Sequence, residues 1–153
     1  MAIDYAKLKE LREKTGVSFA LCKKALEETD NSIEKAEKLL SEWGIEKAEK
    51  KAGREAAQGG IFSYVHHNRK IATMVELRSE TDFVSGNEDF QKLGKELAMQ
   101  LAFSQTAQVE DFLKEPYMRD SSKSIEQLIK DAILKFGENI KIARILRWDQ
   151  GQE

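Results

Sequence analysis

The rhythm of apolar and polar positions changes part-way along this chain and divides it into two modules. Tyr5, Leu8 and Leu11 recur at three-residue steps and predict a short helix that Thr15-Gly16 ends. Ser18 caps a second predicted helix, with Cys22, Leu26 and Thr29 on one side. Asp30-Asn31-Ser32 breaks the chain. Ile33, Ala36, Leu40 and Trp43 then form the stripe of a third helix, with Gly44 as its expected C′ residue. Trp43 is expected to supply much of the burial in so small a head. Ile45 to Ala57 predicts a further, connecting helix, and Gln58-Gly59-Gly60 marks the expected boundary.

Beyond that boundary the period becomes two. Ile61 to His66 alternates, His67-Asn68-Arg69-Lys70 turns, and Ile71, Thr73, Val75 and Leu77 alternate on the way back, which predicts a β-hairpin. Asn87 is a candidate N-cap for a helix carrying Phe90, Leu93, Gly94, Leu97 and Leu101. Val109 to Lys114 predicts a short helical turn closed by Glu115-Pro116-Tyr117. Ser124 and Gln127 form a capping box before the stripe Ile125, Leu128, Ile129, Ala132, Ile133 and Phe136. Ile140 to Trp148 predicts a last strand, with Ile140, Ile142, Leu146 and Trp148 on one face and Arg144 interrupting it. The expected class is therefore α+β. A helical head plus connecting helix fills residues 1–57, and a three-stranded antiparallel sheet packed with helices fills 58–153. Three strands leave edges and an open face, a setting for self-association.

Composition narrows the function. The 153 residues carry 34% charged side chains that nearly cancel, for a net charge of -2. That balance argues against phosphate-backbone binding as the main activity, so no direct nucleic-acid partner is expected. The single Cys22 allows no internal disulfide and no cysteine-based zinc site. No basic-then-apolar leader and no membrane-length apolar run is expected, so the protein should stay in the cytoplasm.

The stretch Ser79 to Asn87 joins the second strand to the helix behind it, and it sets an apolar ring, Phe83, beside a carboxylate, Asp82. Two readings stand. Phe83 and Val84 can staple the end of the following helix, with Asp82 answering Ser79 in a capping box. Alternatively, the pair projects toward a partner. In the head, Val17, Phe19 and Leu21 cannot all turn inward. Phe19 either packs on the third helix or joins a contact patch rimmed by Arg12, Lys23 and Lys24. Lys47, Lys50, Lys51 and Arg54 fall on one helical face, a solvated stripe or a surface for an acidic partner. His66 and His67 point to opposite faces and have no companion ligands, so no metal is expected. No phosphate loop, nucleophile elbow or nucleophile–base pair is present, which points to a binding protein that is not an enzyme and needs no cofactor.

Leu11-Arg12-Glu13-Lys14-Thr15-Gly16, Cys22-Lys23-Lys24-Ala25-Leu26, Lys50-Lys51-Ala52-Gly53 and Glu80-Thr81-Asp82-Phe83-Val84 follow one another in an order that resembles translation elongation factor Ts. Glu115-Pro116-Tyr117 and Gly137-Glu138-Asn139-Ile140 look like that family's core as well. The resemblance implies a guanine-nucleotide exchange factor for elongation factor Tu, the GTPase that carries aminoacyl-tRNA to the ribosome. It implies a head similar to ubiquitin-associated modules, docking through the positions matched by Arg12, Phe19, Ala20 and Lys23. Phe19-Ala20 stands where family members often carry methionines. Thr81, Asp82, Phe83 and Val84 match the block that enters the partner near its magnesium and phosphate site. The chain is short for the family, with one core copy, and short members pair, which implies a homodimer. The head alone would also suit a non-catalytic adaptor, but an adaptor gives no reason for Thr81–Val84 at a strand-to-helix junction.

Overall fold

Asp4 starts the first helix by accepting from the Ala6 and Lys7 amides, and Gly16, at φ 69°, closes it with its N–H on the Arg12 carbonyl. This is α1, Tyr5–Thr15. The computed structural model describes residues 2–152. Ser18 caps α2, Phe19–Glu28, and Ser32 caps α3, Ile33–Lys51. Leu8, Leu11, Val17, Cys22, Ala25, Leu26, Ala36 and Leu40 make one buried cluster, which Leu134 joins. Trp43 does not dominate it. Ala25 and Ala36 let the helices approach closely, the leucines fill the remaining space, and the indole lies partly buried at the margin beneath the Lys24 ammonium.

The third helix does not stop at Gly44. That glycine is buried within α3, where a Cβ would lie 3.0 Å from the Lys130 carbonyl oxygen, so it serves a close approach and not a left-handed turn. Ala48 continues the buried stripe, and Lys50 and Lys51 suit the helix C-terminus. The separate connecting helix expected over 45–57 is therefore the last two turns of α3. Arg54 lies beyond its end and does not share a helical face with Lys47, Lys50 and Lys51.

The chain forms two compact units. One is the stretch up to Gly53 with Lys130–Glu138; the other is Arg54–Ile129 with Asn139 onward. In the second, β1 (Gln58–Val65) and β2 (Ile71–Ser79) form the hairpin, followed by the single turn α4 (Asp82–Ser85) and α5 (Glu88–Ala102). Then come α6 (Val109–Lys114), a small hairpin of β3 (Pro116–Tyr117) and β4 (Asp120–Ser124), α7 (Ile125–Phe136) and β5 (Lys141–Asp149). The main sheet is antiparallel in the order β1-β2-β5, with α5 packed across β1 and β2 and α6 against β5. The α+β class is as the sequence predicts.

Three details depart from expectation. The glycines of the expected boundary lie inside β1, paired with Leu77 and Arg78. Gly59, at φ 144°, passes so close to β2 that a Cβ would lie 2.1 Å from the Leu77 oxygen. The last strand does not keep one apolar face. Glu76 pairs with Arg144 but Leu77 pairs with Ile142, so Ala143 is bulged out and the faces exchange. Ile140 and Ile142 are buried, while Leu146 and Trp148 face outward. The β3–β4 hairpin has no sequence signal of its own. The buried Gln100 holds it, donating to the Pro116 carbonyl at 3.0 Å and accepting from the Met118 amide at 2.9 Å. Arg119 pairs with Glu96 beside it.

Arg147 ties the sheet to the helix layer. Its guanidinium donates to the Leu101 and Ala102 carbonyls at 3.1 and 3.0 Å, covering the C-terminal end of α5.

Candidate partner-binding site

Thr81 is the N-cap of α4, its hydroxyl accepting from the Val84 amide at 3.3 Å. Ser79 is fully buried and donates its hydroxyl to the Thr81 carbonyl at 2.9 Å; because Thr81 and not Ser79 is the N-cap, the expected capping box of Ser79 with Asp82 does not form. Val84 turns inward and is buried. Phe83, one residue earlier on so tight a turn, points the other way and is 85% exposed. The staple reading thus fails for Phe83, whose ring covers no helix end, while Val84 is the buried member of the pair. Asp82 is exposed beside the ring. A large apolar side chain held in water by a capped turn is the arrangement that a protein–protein contact uses.

The head presents a second feature. Val17 is buried and Leu21 partly buried, but Phe19 remains 46% exposed with the Arg12 guanidinium 6.0 Å from its ring centre. Tyr5, which the periodicity placed on the apolar stripe, is 66% exposed. Tyr5, Leu8, Arg12, Val17 and Phe19 line a groove of about 410 Å³ whose edges carry Lys9 and Glu13. Ala20 is exposed beside it, and Lys23 is half-buried.

The basic residues do not act as one face. Lys51 donates to the Gly137 carbonyl at 3.0 Å, and Arg54 lies 3.6 Å from Glu80. Lys47 and Lys50 are exposed. Burial pushes the Cys22 thiol up, outweighing the Thr15 hydroxyl and the Arg12 charge, so it is a core side chain and a poor nucleophile. The His66 ring shares a hydrogen bond with the Tyr64 hydroxyl at 2.8 Å and lies edge-on to Phe103. Among the described residues no cluster of three or more His, Cys, Asp or Glu could hold a metal, and no helix is long and apolar enough to cross a membrane.

The sheet face opposite α5 is open. Ile61, Val65, Met74, Leu146 and Trp148 are all exposed on it. At its centre the Glu76 carboxyl is held below the ordinary glutamate range by a hydrogen bond from Arg78 at 2.9 Å and another from Arg144 at 2.8 Å.

Two family models match the chain. "Elongation factor Ts, mitochondrial, N-terminal" covers residues 1–60, and "Elongation factor TS" covers residues 80–153. The elongation factor Ts of Coprothermobacter proteolyticus is 36% identical, with 99% of this chain and 100% of that protein aligned. The chain belongs to the elongation factor Ts family. The elongation factors Ts of Aquifex aeolicus and Clostridium botulinum (strain ATCC 19397 / Type A) are 42% and 44% identical over 97% and 92% of this chain. The chain spans about half of each, 53% and 46%. Membership makes this a translation elongation protein, as the four sequence blocks suggested.

Two residues at the base of the Phe83 turn escaped sequence reasoning. Glu80 accepts from the Asn139 amide at 2.7 Å, and Asn139, only 5% exposed, donates its side-chain amide to the Arg54 carbonyl at 2.8 Å. Both stand in blocks that carry the family resemblance, but nothing in local spacing links positions 59 residues apart.

Proposed function

We propose that this chain is a guanine-nucleotide exchange factor that binds elongation factor Tu and promotes release of its GDP. The observation that carries this reading is Phe83, 85% exposed on a turn that Thr81 caps and the Ser85 and Gly86 amides close. Truncation of such a ring is costly only if a partner buries it.

The mechanism is linkage, not covalent chemistry. A protein that binds the nucleotide-free form of a GTPase more tightly than the loaded form weakens nucleotide binding by the same factor. Each tenfold of that factor needs about 1.4 kcal/mol of differential contact. Phe83 supplies contact that exists only when the partner's switch elements have moved. Asp82 competes for polar groups that otherwise support the magnesium shell. Thr81 and Val84 hold the turn. Arg12, Phe19, Ala20 and Lys23 provide anchoring contact through the groove of the head. Lys47 and Lys50 remain for an acidic rim, and Lys51 and Arg54 serve it less because they bond within the chain. The site of action is the cytoplasm, with no cofactor.

The open sheet face suits a homodimer. A stable interface buries about 1,200–2,000 Å² in total, and five exposed apolar side chains around the Glu76–Arg144 pair support a contact between two copies of this face. Light scattering at tens of micromolar (roughly where weak dimers show) is expected to give twice the chain mass, and Trp148→Lys is expected to give a monomer. A monomeric wild type would refute the dimer.

The exchange reading is tested by loading Tu with a fluorescent GDP and chasing with unlabelled nucleotide. Release is expected to accelerate with added chain and to saturate. A rate independent of the chain would refute it.

A further inference from the structure

We infer that Glu80 is a positioning residue that holds the Phe83 turn in its projecting form, an inference that rests on the exchange reading. Three segments far apart in the chain meet at this carboxylate. Oε2 accepts from the Asn139 backbone N–H at 2.7 Å, and Oε1 faces the Arg54 guanidinium at 3.6 Å. Asn139 closes the triangle by donating to the Arg54 carbonyl at 2.8 Å. The bond to Oε2 is charge-assisted, and the Glu80 side chain is 20% exposed, so water screens it only partly.

The position of this triangle gives it a function. Glu80 immediately precedes the N-cap Thr81, and Ser79, on its other side, bonds to the Thr81 carbonyl. Val84 is the only buried side chain of α4. The turn is therefore anchored from beneath at Ser79, Glu80 and Val84, while Asp82 and Phe83 stand in solvent. A side chain that enters a partner's pocket binds better when its backbone is already ordered, because that ordering is not charged against binding. Glu80 and Asn139 supply the order without being at the tip themselves.

The test compares Glu80→Ala, Glu80→Gln and wild type in two measurements. The first is amide hydrogen exchange in the free chain. The Ser85, Gly86 and Asn87 amides bond to Thr81, Asp82 and Val84 carbonyls. They are expected to exchange about tenfold faster or more in Glu80→Ala, with β2 and β5 amides unchanged. The second is catalysed GDP release from Tu. The maximal rate is expected to fall about three- to tenfold in Glu80→Ala, with a smaller change in the half-saturating concentration, since the head contacts are intact. Glu80→Gln keeps an oxygen acceptor for the Asn139 amide and is expected to recover most of both. Turn amides and maximal rate both unchanged in Glu80→Ala would overturn the inference. So would a uniform loss of protection across the sheet, which marks a purely structural role. If Glu80→Ala does not fold, Glu80→Asp, whose carboxylate stops one methylene short of the Asn139 backbone N–H, must loosen the same three amides and slow release, or the inference falls. If wild type does not accelerate release at all, the exchange reading fails, and hydrogen exchange alone still decides whether Glu80 orders the turn.

Discussion

Phe83→Ala separates a ring that serves the fold from one that serves a partner. An aromatic side chain presents roughly 200 Å², so at 85% exposure only about 30 Å² of it is covered in the free chain. At about 25 cal/mol per Å², truncation should cost the fold less than about 1 kcal/mol. For a chain of this length that is a fall in Tm of no more than about 2–4 °C. The remaining surface, about 170 Å², is available to a partner and corresponds to about 4 kcal/mol of gross transfer energy. Part of that is lost to ordering and imperfect fit, and interface aromatics commonly cost 2 kcal/mol or more on truncation. Catalysed GDP release is therefore expected to fall at least about tenfold at fixed chain concentration. Asp82→Ala should act in the same direction, and the double variant should fall short of the summed effects because both residues enter one site. The assay is fluorescent-GDP release beside a thermal melt of the same samples. A Tm lowered by much more than this, with normal release per folded molecule, would return Phe83 to the fold. An unchanged Tm with unchanged release would remove it from the mechanism.

Gly94→Ala is expected to destabilise, because the new Cβ would lie 2.2–2.4 Å from three atoms of the Phe62 ring, which is itself confined by Phe90 and Gly60. Overpacking costs about 1–3 kcal/mol and helix propensity returns up to about 1, so a lower Tm by several degrees is expected, and a higher one would refute the packing role. Phe19→Asp should weaken Tu binding with little change in the melt, since the ring is 46% exposed; a collapsed melt would place Phe19 in the core. Glu76, with its carboxyl held down first by Arg78, contributes stability that is present above the ordinary glutamate pKa of about 4.3 and lost as pH falls through its lower folded value. Glu76→Gln should therefore have a lower urea midpoint than wild type at pH 7, with the gap closing as pH falls below the ordinary glutamate range, and curves that stay parallel would refute the linkage.

Sequence alone determined the elements whose causes are local. Ser18, Asn87 and Ser124 accept from helix amides in the structure as their positions predict. The alternation from Ile71 to Leu77 defines β2, and four short blocks carry the family. What failed were inferences in which one residue type has two physical uses. Gly44 has the small size that a helix end and a close helix contact both require, and only the chain at Lys130 shows which applies. Trp43 is large enough to fill a core, but the leucines and alanines around it decided that it should not. The period of β5 is readable, yet the bulge at Ala143 that sends Ile142 inward and Leu146 outward exists only because β2 pairs beside it. The same limit applies to the site. Asp82 and Phe83 are legible as an unusual pair at a junction, but exposure is a property of the packed molecule. So is the meeting of Glu80, Asn139 and Arg54, because hydrogen bonds between residues 59 and 85 positions apart leave no periodic trace in a sequence.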